Sequence, residues 1–558
     1  MSTINKANVI NGNTIQAQDI LNVIDALDGT TANSIVIRAD LSQGSATNLT
    51  NGNTSHAEGN NTIASGSYSH AEGFNTIASG DYSHAEGQST TASGSYSHAE
   101  GLSTIAEGNL SHAEGYNTTS SGIYSHAEGR VTIASDPYSH AEGRSTNAKG
   151  NSSHAEGWNT IASGSYSHAE GYLTTTSGSF SHAEGYDTTT IGLGTHAEGF
   201  MSDAIGNYSH AEGVGTIAEE DYSHAEGNST IASGSYSHAE GQSTIAKGDA
   251  SHAEGSNTKT LGNFSHAEGY LTTTSGSYSH AEGYNAIASG SYSHAEGYFT
   301  LAFGQASHAE GRDNIASGSY SHAEGYGTIS SGLYSHAEGY STISSGLYSH
   351  AEGSSSISFG TSSHAEGFDT IASGSFSHAE GYNTTAKGNY SHAEGYDTLA
   401  SDFGAHAEGY QTIASGDYSH AEGVYTKASG QYSHAEGAST TSSGQYSHAE
   451  GAATRAFGEG SHAEGYYTIA SGSFQHASGK YNEHGDDTSL FIVGNGTSDA
   501  ARKDAFKVTH SSSIVLNQTQ SAAPTWTGID GEIIPATVGG VYRLYMWMNG
   551  SWRLSTFT

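Results

Sequence analysis

The feature that most constrains this chain is a four-residue motif, His-Ala-Glu-Gly, that returns every 14 residues. The first copy begins at His56 and the thirtieth at His462, with no insertion or deletion between them. A degenerate copy, His-Ala-Ser-Gly, follows at His476 in the same frame. A fixed short period of this kind is typical of a solenoid, in which each unit packs only on its neighbours.

The unit reads S-H-A-E-G-x-x-T-I-A-S-G-x-x. Helical solenoids need roughly 30 residues or more per repeat, whereas 14 residues suffice for two short strands and two turns. Strand alternation places Ser, Ala and Gly on one face of the first strand, and His and Glu on the other. In the second strand, Thr, Ala and Gly share a face opposite Ile and Ser. We expect the two faces of small residues to pack into a thin β-roll that advances about 4.8 Å per coil.

Composition adds two constraints to this picture. The 558 residues include 75 glycines but only 3 prolines and no cysteine, which excludes a collagen-like chain, a disulfide framework and a thiolate metal site. A core of Ala, Ser and Gly buries little apolar surface, so a single thin roll gains little hydrophobic stabilisation. We therefore expect several chains to associate along the length of the roll.

The repeat resembles the head repeat of trimeric autotransporter adhesins, which reads roughly S-V-A-I-G-x-x-S-x-A-x-G-x-x over the same length. The resemblance extends from Ser55 to about Gly479, about three quarters of the chain. It implies an all-β fold, a left-handed parallel β-roll solenoid, with three chains around a common axis in a homotrimeric rod. Such head repeats also occur in bacteriophage tail fibres.

One departure from the family repeat concerns its valine and isoleucine, which are replaced here by histidine and glutamate. In the family those positions face the trimer interior, so the resemblance implies a polar ladder along the trimer axis. We take four pairs to represent that ladder: His56 and Glu58, His70 and Glu72, His84 and Glu86, and His98 and Glu100.

Three interpretations of this ladder compete. In the structural one, the His and Glu side chains satisfy one another across the three chains, since an unpaired buried charge is costly. In the second, rings of three histidines on the axis bind a metal ion or an anion. The third is catalysis. Dozens of equal sites without a distinct cleft favour the structural interpretation, and we expect no catalytic residues, no metal, no cofactor and no enzymatic activity.

The net charge points to the same ladder. The formal charge is −39 with neutral histidine, 30 of the 56 acidic residues are repeat glutamates, and 31 of the 33 histidines are in the repeat frame. Adding one proton to each of these 31 histidines changes −39 to −8. We therefore expect protonated histidines paired with glutamates, and a trimer that weakens as the pH rises through the histidine pKa. The acidity also disfavours nucleic acid and anionic membranes as partners.

The outward columns of the repeat are rich in aromatic residues. They follow the motif, as at Trp158 and Tyr172, or precede Ser-His, as at Tyr68 and Tyr82. One interpretation is a carbohydrate-stacking surface, and the favoured one is a set of aromatic ladders covering the turns. The threonine column that contains Thr62 also suggests ice binding, although its bulky and varied neighbours count against a flat ice-binding face.

The two ends break the period and divide the chain into an N-terminal attachment or capping segment (1–50), a shaft (51–479) and a C-terminal junction and tip (480–558). Residues 13–29 are predicted to form a short amphipathic helix, which either caps the rod as a trimeric bundle or docks on a larger particle. Residues 34–41 are predicted to form a strand. Asn495-Gly496 and Asn549-Gly550 are predicted hairpin turns.

The C-terminal tip is aromatic and mildly basic. Two interpretations stay open: contact with a receptor, or a small trimeric core that clamps the chains with its tryptophans buried. The candidate receptor-contact residues are Trp526, Tyr545, Trp547, Trp552 and Arg553.

Together these patterns predict a homotrimeric virion fibre, a phage tail fibre that is extracellular when it functions. We expect its N-terminus to attach to a phage tail or baseplate protein and its C-terminus to meet a glycan or protein on the host surface. The alternative is a bacterial trimeric surface adhesin or an extracellular structural filament. The sequence shows no secretory signal pattern and no membrane-spanning run, which counts against that alternative and against membrane insertion. A glycan depolymerase would need paired carboxylates in non-repeated sequence, and we find no such pair.

Overall fold

The structure is a computed structural model that describes residues 48–516, 523–525, 527–528, 532–538 and 541–555. The predicted N-terminal helix and the strand at 34–41 lie outside these residues. The chain divides into two compact units, residues 1–243 and 244–558, which are described separately.

The described part of the first unit is a parallel β-solenoid built from two kinds of strand. The motif strands begin at each repeat histidine and end at the residue after the motif glycine, running from His56–Asn60 to His238–Gln242 in steps of 14 residues. The short strands have two residues each: Leu49–Thr50 comes first, and then Ile63–Ala64 to Ile231–Ala232 follow in the same steps.

The second unit continues with the same two kinds of strand and then changes. Its motif strands run from His252–Ser256 to His476–Lys480, and its short strands from Ile245–Ala246 to Ile469–Ala470, again in steps of 14. The motif strand His434–Ala435 alone among them is cut to two residues. After the repeats come strands Ser489–Asn495, Asp504–Thr509, Ile514–Leu516, Ile533–Val538, Val541–Met548 and Ser551–Ser555.

The described residues contain strands, turns and bends but no helix, so the predicted all-β solenoid is confirmed for them. They accordingly offer no helix long and apolar enough to span a membrane.

Neighbouring coils pair in parallel and in register. His112 lies beside His126, and Glu114 beside Glu128, with the intervening alanines also paired. The short strands do the same, as in the pairing of Ile63 with Ile77. Because the period has no insertions, each position of the repeat becomes a column along the coils, and the constant positions become columns of one residue type.

The burial of the columns follows the predicted faces. Ala71 and Ala78 are fully buried, as is Thr76, and Ser69 is almost fully buried. His70 on the opposite face of its strand keeps partial exposure. The core is thus thin and made of Ala, Ser, Thr and Gly, since only small side chains fit between two strands that face each other so closely.

Each coil turns through three positions with positive φ. In the second repeat these are Gly73 at φ 117°, Asn75 at 57° and Tyr82 at 59°. Asn tolerates the left-handed region well, and a Tyr there costs about 1 kcal/mol. A Cβ on Gly73 would lie 2.0 Å from the carbonyl oxygen of Gly87 in the next coil, so only glycine fits this column. The hydroxyl of Ser83 stabilises the turn that contains Tyr82 by donating a hydrogen bond to the Gly80 carbonyl at 2.7 Å.

The C-terminal junction extends the sheet of motif strands. Ser489–Asn495 pairs in parallel with the last motif strand and antiparallel with Asp504–Thr509. The predicted two-residue hairpin turn at Asn495-Gly496 is wrong, because residues 496–503 connect these two strands. The connection lies on the last coil because Arg502 donates from Nη1 to the carbonyls of Tyr467 at 2.8 Å and Asn482 at 3.1 Å.

The second predicted hairpin is confirmed. Val541–Met548 pairs antiparallel with Ser551–Ser555. The two residues between them, Asn549 and Gly550, have φ values of 50° and 74°. Positive φ at both turn residues is the arrangement that the right-handed twist of a hairpin prefers.

Candidate functional site: the histidine and glutamate ladders

The repeat histidines form a stack of imidazole rings in each unit. From His70 to His238 and from His252 to His462, the described neighbouring rings are parallel, with centroids 4.6–5.0 Å apart. This spacing equals the distance between adjacent strands, because each ring sits on its own motif strand. The stack therefore follows directly from the in-register pairing.

The predicted ladder pairs lie together on this face. His56 Nε2 is 3.5 Å from the carboxylate of Glu58, and His70 Nε2 is 4.0 Å from that of Glu72. The ligand atoms of His84, Glu86 and His98 all lie within 4.8 Å of one another, and so do those of His98, Glu100 and His112. The structure thus brings all eight predicted ladder residues onto one surface, in a single chain.

Burial and stacking lower the pKa of several ladder histidines within one chain. Burial lowers the pKa of His112 to about 4, and the neighbouring rings of His126 and His98 contribute to that shift. The same causes lower the pKa of His154 and His350 to about 4. Stacked imidazoles repel as cations, and carboxylates at 3.5–4.0 Å beside a partly exposed ring compensate incompletely. The lowered pKa of these three histidines disfavours protonated pairs within one chain, and the expectation of protonated pairs across three chains stays a prediction.

The ladder also leaves polar atoms without partners. Within the described part of the chain, most ladder histidines, including His112 and His420, have an Nε2 atom that is shielded from solvent and makes no hydrogen bond. A buried polar atom without a partner typically costs about 1–3 kcal/mol. The face is therefore incomplete as a single chain presents it.

One stretch of the glutamate column differs from the rest. Glu422, Glu436 and Glu450, in three consecutive coils, contact one another through their carboxyl groups. The hydrogen bonds to Glu422 and Glu450 raise the pKa of Glu436 to about 7. These carboxylates line an open groove of about 560 Å³. Sequence reasoning missed this groove, because the motif itself is unchanged there.

The outward aromatic columns form ladders rather than open platforms. The rings of Tyr68, Tyr82 and Tyr96 are parallel with centroids 4.9 and 4.7 Å apart. Trp158 meets Tyr172 edge to face. Because each stacked ring covers the face of the next, the columns offer mainly ring edges to a sugar. The interpretation as ladders that cover the turns fits this geometry, and carbohydrate stacking stays the second interpretation.

The threonine column lies inside the core. Thr62, Thr76 and Thr90 are fully buried. They cannot contact ice, so the ice-binding interpretation is wrong.

The predicted tip residues lie on a three-stranded antiparallel sheet, apart from Trp526, which lies outside the described residues. Trp547 and Trp552 face each other across the hairpin with ring centroids 5.2 Å apart. Tyr545, two residues before Trp547 on the same strand, is buried. Arg553 is exposed and pairs with Met546 in the register of the hairpin. Both interpretations of this sheet, receptor contact and trimer clamp, are compatible with these positions.

Comparison with protein families finds one match. The profile described as the YadA head domain repeat (2 copies) matches residues 51–69, 71–97, 85–111, 281–307, 365–391 and 449–474. A comparison with curated proteins finds no match. The matched segments lie within the repeats of both units.

Proposed function

We propose that this chain, whose repeats are head repeats of the trimeric autotransporter adhesin type, forms a homotrimeric adhesive fibre that acts outside the cell. The single observation that carries the proposal is the in-register ladder face. It matches the face that such repeats turn toward the trimer interior, and it carries solvent-shielded Nε2 atoms without hydrogen-bond partners. Identical faces of two further chains supply carboxylates at the same spacing.

The trimer itself is tested by light scattering coupled to size exclusion, on the full chain at pH 8 in about 0.15 M salt, where surface charges are screened. The expected mass is three times the 57.5 kDa of one chain. A variant with several ladder histidines replaced by glutamate in consecutive coils places like charges together on the ladder face and should shift the mass toward one chain. A wild-type protein that runs as a monomer at micromolar concentration contradicts the proposal.

We further propose that the fibre is a phage tail fibre, with the repeats as a stiff spacer. In this arrangement the N-terminal segment attaches to a tail or baseplate protein, and the C-terminal sheet meets a glycan or protein on the host. The clustered Tyr545, Trp547 and Trp552 support a role for that sheet in either trimer clamping or contact. Replacing Trp547 and Trp552 by Ala separates the two: loss of the trimer indicates a clamp, and loss of cell binding by intact trimers indicates contact.

The second candidate is a bacterial trimeric surface adhesin, and the matched head repeats favour it at least as strongly. Immunogold electron microscopy with antibodies against residues 480–558 distinguishes the two. Gold at the distal ends of thin fibres on phage tails supports the tail fibre. Gold on cell surfaces or on free filaments, with unlabelled virions, supports the adhesin or the filament.

The proposal includes no catalytic role for the chain. Cleavage of purified capsule or lipopolysaccharide by the full-length protein would contradict this part of it.

A further inference from the structure

We propose that the second unit carries a binding site for a divalent transition-metal ion of the zinc class, in the groove where Glu422, Glu436 and Glu450 meet. The groove is lined by the glutamates and glycines of four consecutive motifs: Glu408, Gly409, Glu422, Gly423, Glu436, Gly437, Glu450 and Gly451. The ligands belong to one chain, so the site differs from a ring of three histidines on a trimer axis. The groove lies on the ladder face that the proposed fibre turns toward its interior, and the metal ion goes beyond that proposal.

The groove is open here because the residues after the motif are small. Consecutive repeats carry Val424, Ala438 and Ala452, whereas the flanking repeats carry Tyr410 and Tyr466. The central motif strand is also shortened to two residues, and Ala438 joins its neighbours only through isolated bridges to Val424 and Ala452. Small side chains and a shortened strand leave space beside these carboxylates. In the flanking repeats an aromatic residue follows the motif instead.

Each central carboxylate lies between two imidazoles of consecutive coils. The Glu422 oxygens are 4.0 Å from His420 Nε2 and 3.6 Å from His434 Nε2. The Glu436 oxygens are 4.0 Å from His434 Nε2 and 3.5 Å from His448 Nε2. In the first unit Glu114 also lies between His112 and His126, but the three ligand atoms are separated by up to 4.8 Å. The groove therefore brings the carboxylates closer to the imidazole of the next coil.

These distances suit a tetrahedral ion after small movements. Two ligand atoms bound to zinc at about 2.0–2.1 Å are separated by roughly 3.4 Å. The separations of 3.5–4.0 Å around Glu422 and Glu436 exceed that value by a few tenths of an ångström, within reach of side-chain rotation. Neutral imidazole with carboxylate is the ligand set of zinc, nickel and copper, whereas calcium and magnesium prefer oxygen ligands alone.

Two features of the groove suit a cation. Glu436 shares hydrogen bonds with Glu422 and Glu450, and the three side chains are only 31–33 % exposed, against 45 % for Glu114 in the first unit. The Nε2 atoms of His420 and His448 also make no hydrogen bond, as at most other positions of the ladder. A divalent cation neutralises the carboxylates and takes the imidazole lone pairs at the same time.

The test uses the full-length protein, freed of metal with a chelator and dialysed, and Co²⁺ or Zn²⁺ alone as the probe. The groove variant E422Q/E436Q/E450Q removes the carboxylate ligands and keeps their shape. The matched control E170Q/E184Q/E198Q makes the same change in three consecutive motifs of the first unit, which are followed by Tyr172, Tyr186 and Phe200. Calorimetric titration gives Kd and stoichiometry, and Co²⁺ absorption reports tetrahedral coordination.

The wild type and the control should show a tetrahedral Co²⁺ spectrum and micromolar or tighter Zn²⁺ binding, and the groove variant should bind at least about tenfold more weakly. A second variant, H434Q, should weaken binding similarly. Because it removes an imidazole ligand and no carboxylate, it separates loss of a ligand from a general loss of negative charge. The proposal is overturned if the wild type binds only at millimolar concentration, or if the control loses as much affinity as the groove variant. Light scattering on the same samples reports the trimer separately, so a failed metal site and a failed fibre are distinguishable.

Discussion

Two glycines that stand two residues apart in one repeat offer a sharp test of how closely the coils stack. Gly213 has φ 120°, and a Cβ there would lie 2.1 Å from the carbonyl oxygen of Gly227 in the next coil. Gly215 has φ 63°, and the nearest atom to a Cβ there is the Ser229 hydroxyl at 3.9 Å. We expect Gly213→Ala to open the stack locally and Gly215→Asn to be tolerated.

The magnitude comes from two costs at Gly213. Holding an L-residue in a backbone region reserved for glycine costs about 1–3 kcal/mol. Forcing a methyl group against a backbone carbonyl adds about 1–3 kcal/mol, because the coils must separate or the strand must shift. The sum is roughly 2–6 kcal/mol for Gly213→Ala. Gly215→Asn should instead change stability by less than about 1 kcal/mol, in the favourable direction, because Asn accepts the left-handed region and restricts the unfolded chain.

Hydrogen exchange with mass spectrometry is the suitable assay, because a solenoid opens locally and a single melting temperature averages over many coils. A loss of about 4 kcal/mol lowers amide protection roughly 10³-fold, at about tenfold per 1.4 kcal/mol. We expect this loss in peptides that cover residues 196–228 of the Gly213→Ala protein, and protection equal to wild type in Gly215→Asn. Equal protection in the two variants would refute the close stacking of the glycine column.

Three further predictions concern other columns. Burial lowers the folded-state pKa of histidines such as His112 to about 4, so the unfolded chain binds protons more tightly than the folded chain does. The metal-free protein should therefore keep full stability above about pH 6.5 and lose stability as the pH falls toward about 4. A melting temperature that rises on acidification would contradict this. Tyr82 stacks on Tyr68 and Tyr96 and has a left-handed backbone conformation. Tyr82→Ala and Tyr82→Gly both remove the ring, but only glycine relieves the backbone strain, so the alanine variant should lose about 1 kcal/mol more of the opening free energy of its coil. The reverse order in hydrogen exchange would show that the strain is negligible. Arg502→Lys should remove the hydrogen bonds to the Tyr467 and Asn482 carbonyls and lower the opening free energy of the last coil, measured by hydrogen exchange, by about 2 kcal/mol. Coils of the first unit serve as the internal control. Unchanged protection would mean that the connection stays on the last coil without these hydrogen bonds.

Much of the fold could be predicted from the sequence because the repeat leaves little choice. Alternation within S-H-A-E-G assigns Ala71 to the core and His70 to the outer face, and the constant period then fixes the register. The Asn549-Gly550 turn was equally predictable, since its length and residue types select one hairpin geometry. The turn at Asn495-Gly496 was mispredicted because a long-range contact decides it. Arg502 holds the connection on the last coil, and no local pattern reveals that contact.

The candidate site was predictable in its position but not in its chemistry. The spacing of His56 and Glu58 places both on one face, and the two side chains do lie together there. The groove at Glu436 depends on the residue after the motif in three consecutive repeats, and Ala438 and Ala452 looked like ordinary variation in a variable column. Only the coil-to-coil geometry shows that small residues there let neighbouring carboxylates meet.

The pKa of the ladder histidines bears both on the expected charge pairing and on the metal site. Counting charges along the sequence favoured His⁺ beside Glu⁻, because it reduces the net charge from −39 to −8. That count omits the stack, in which each imidazole has two imidazole neighbours with centroids 4.8 Å away, as at His112, and loses water on joining them. A protonated histidine has no lone pair to offer, whereas a neutral one keeps an acceptor nitrogen that the stack leaves unused. The packing that lowers the pKa of His420 and His448 therefore favours the neutral form that binds a metal ion, and the groove is where carboxylates come close enough to complete the ligand set.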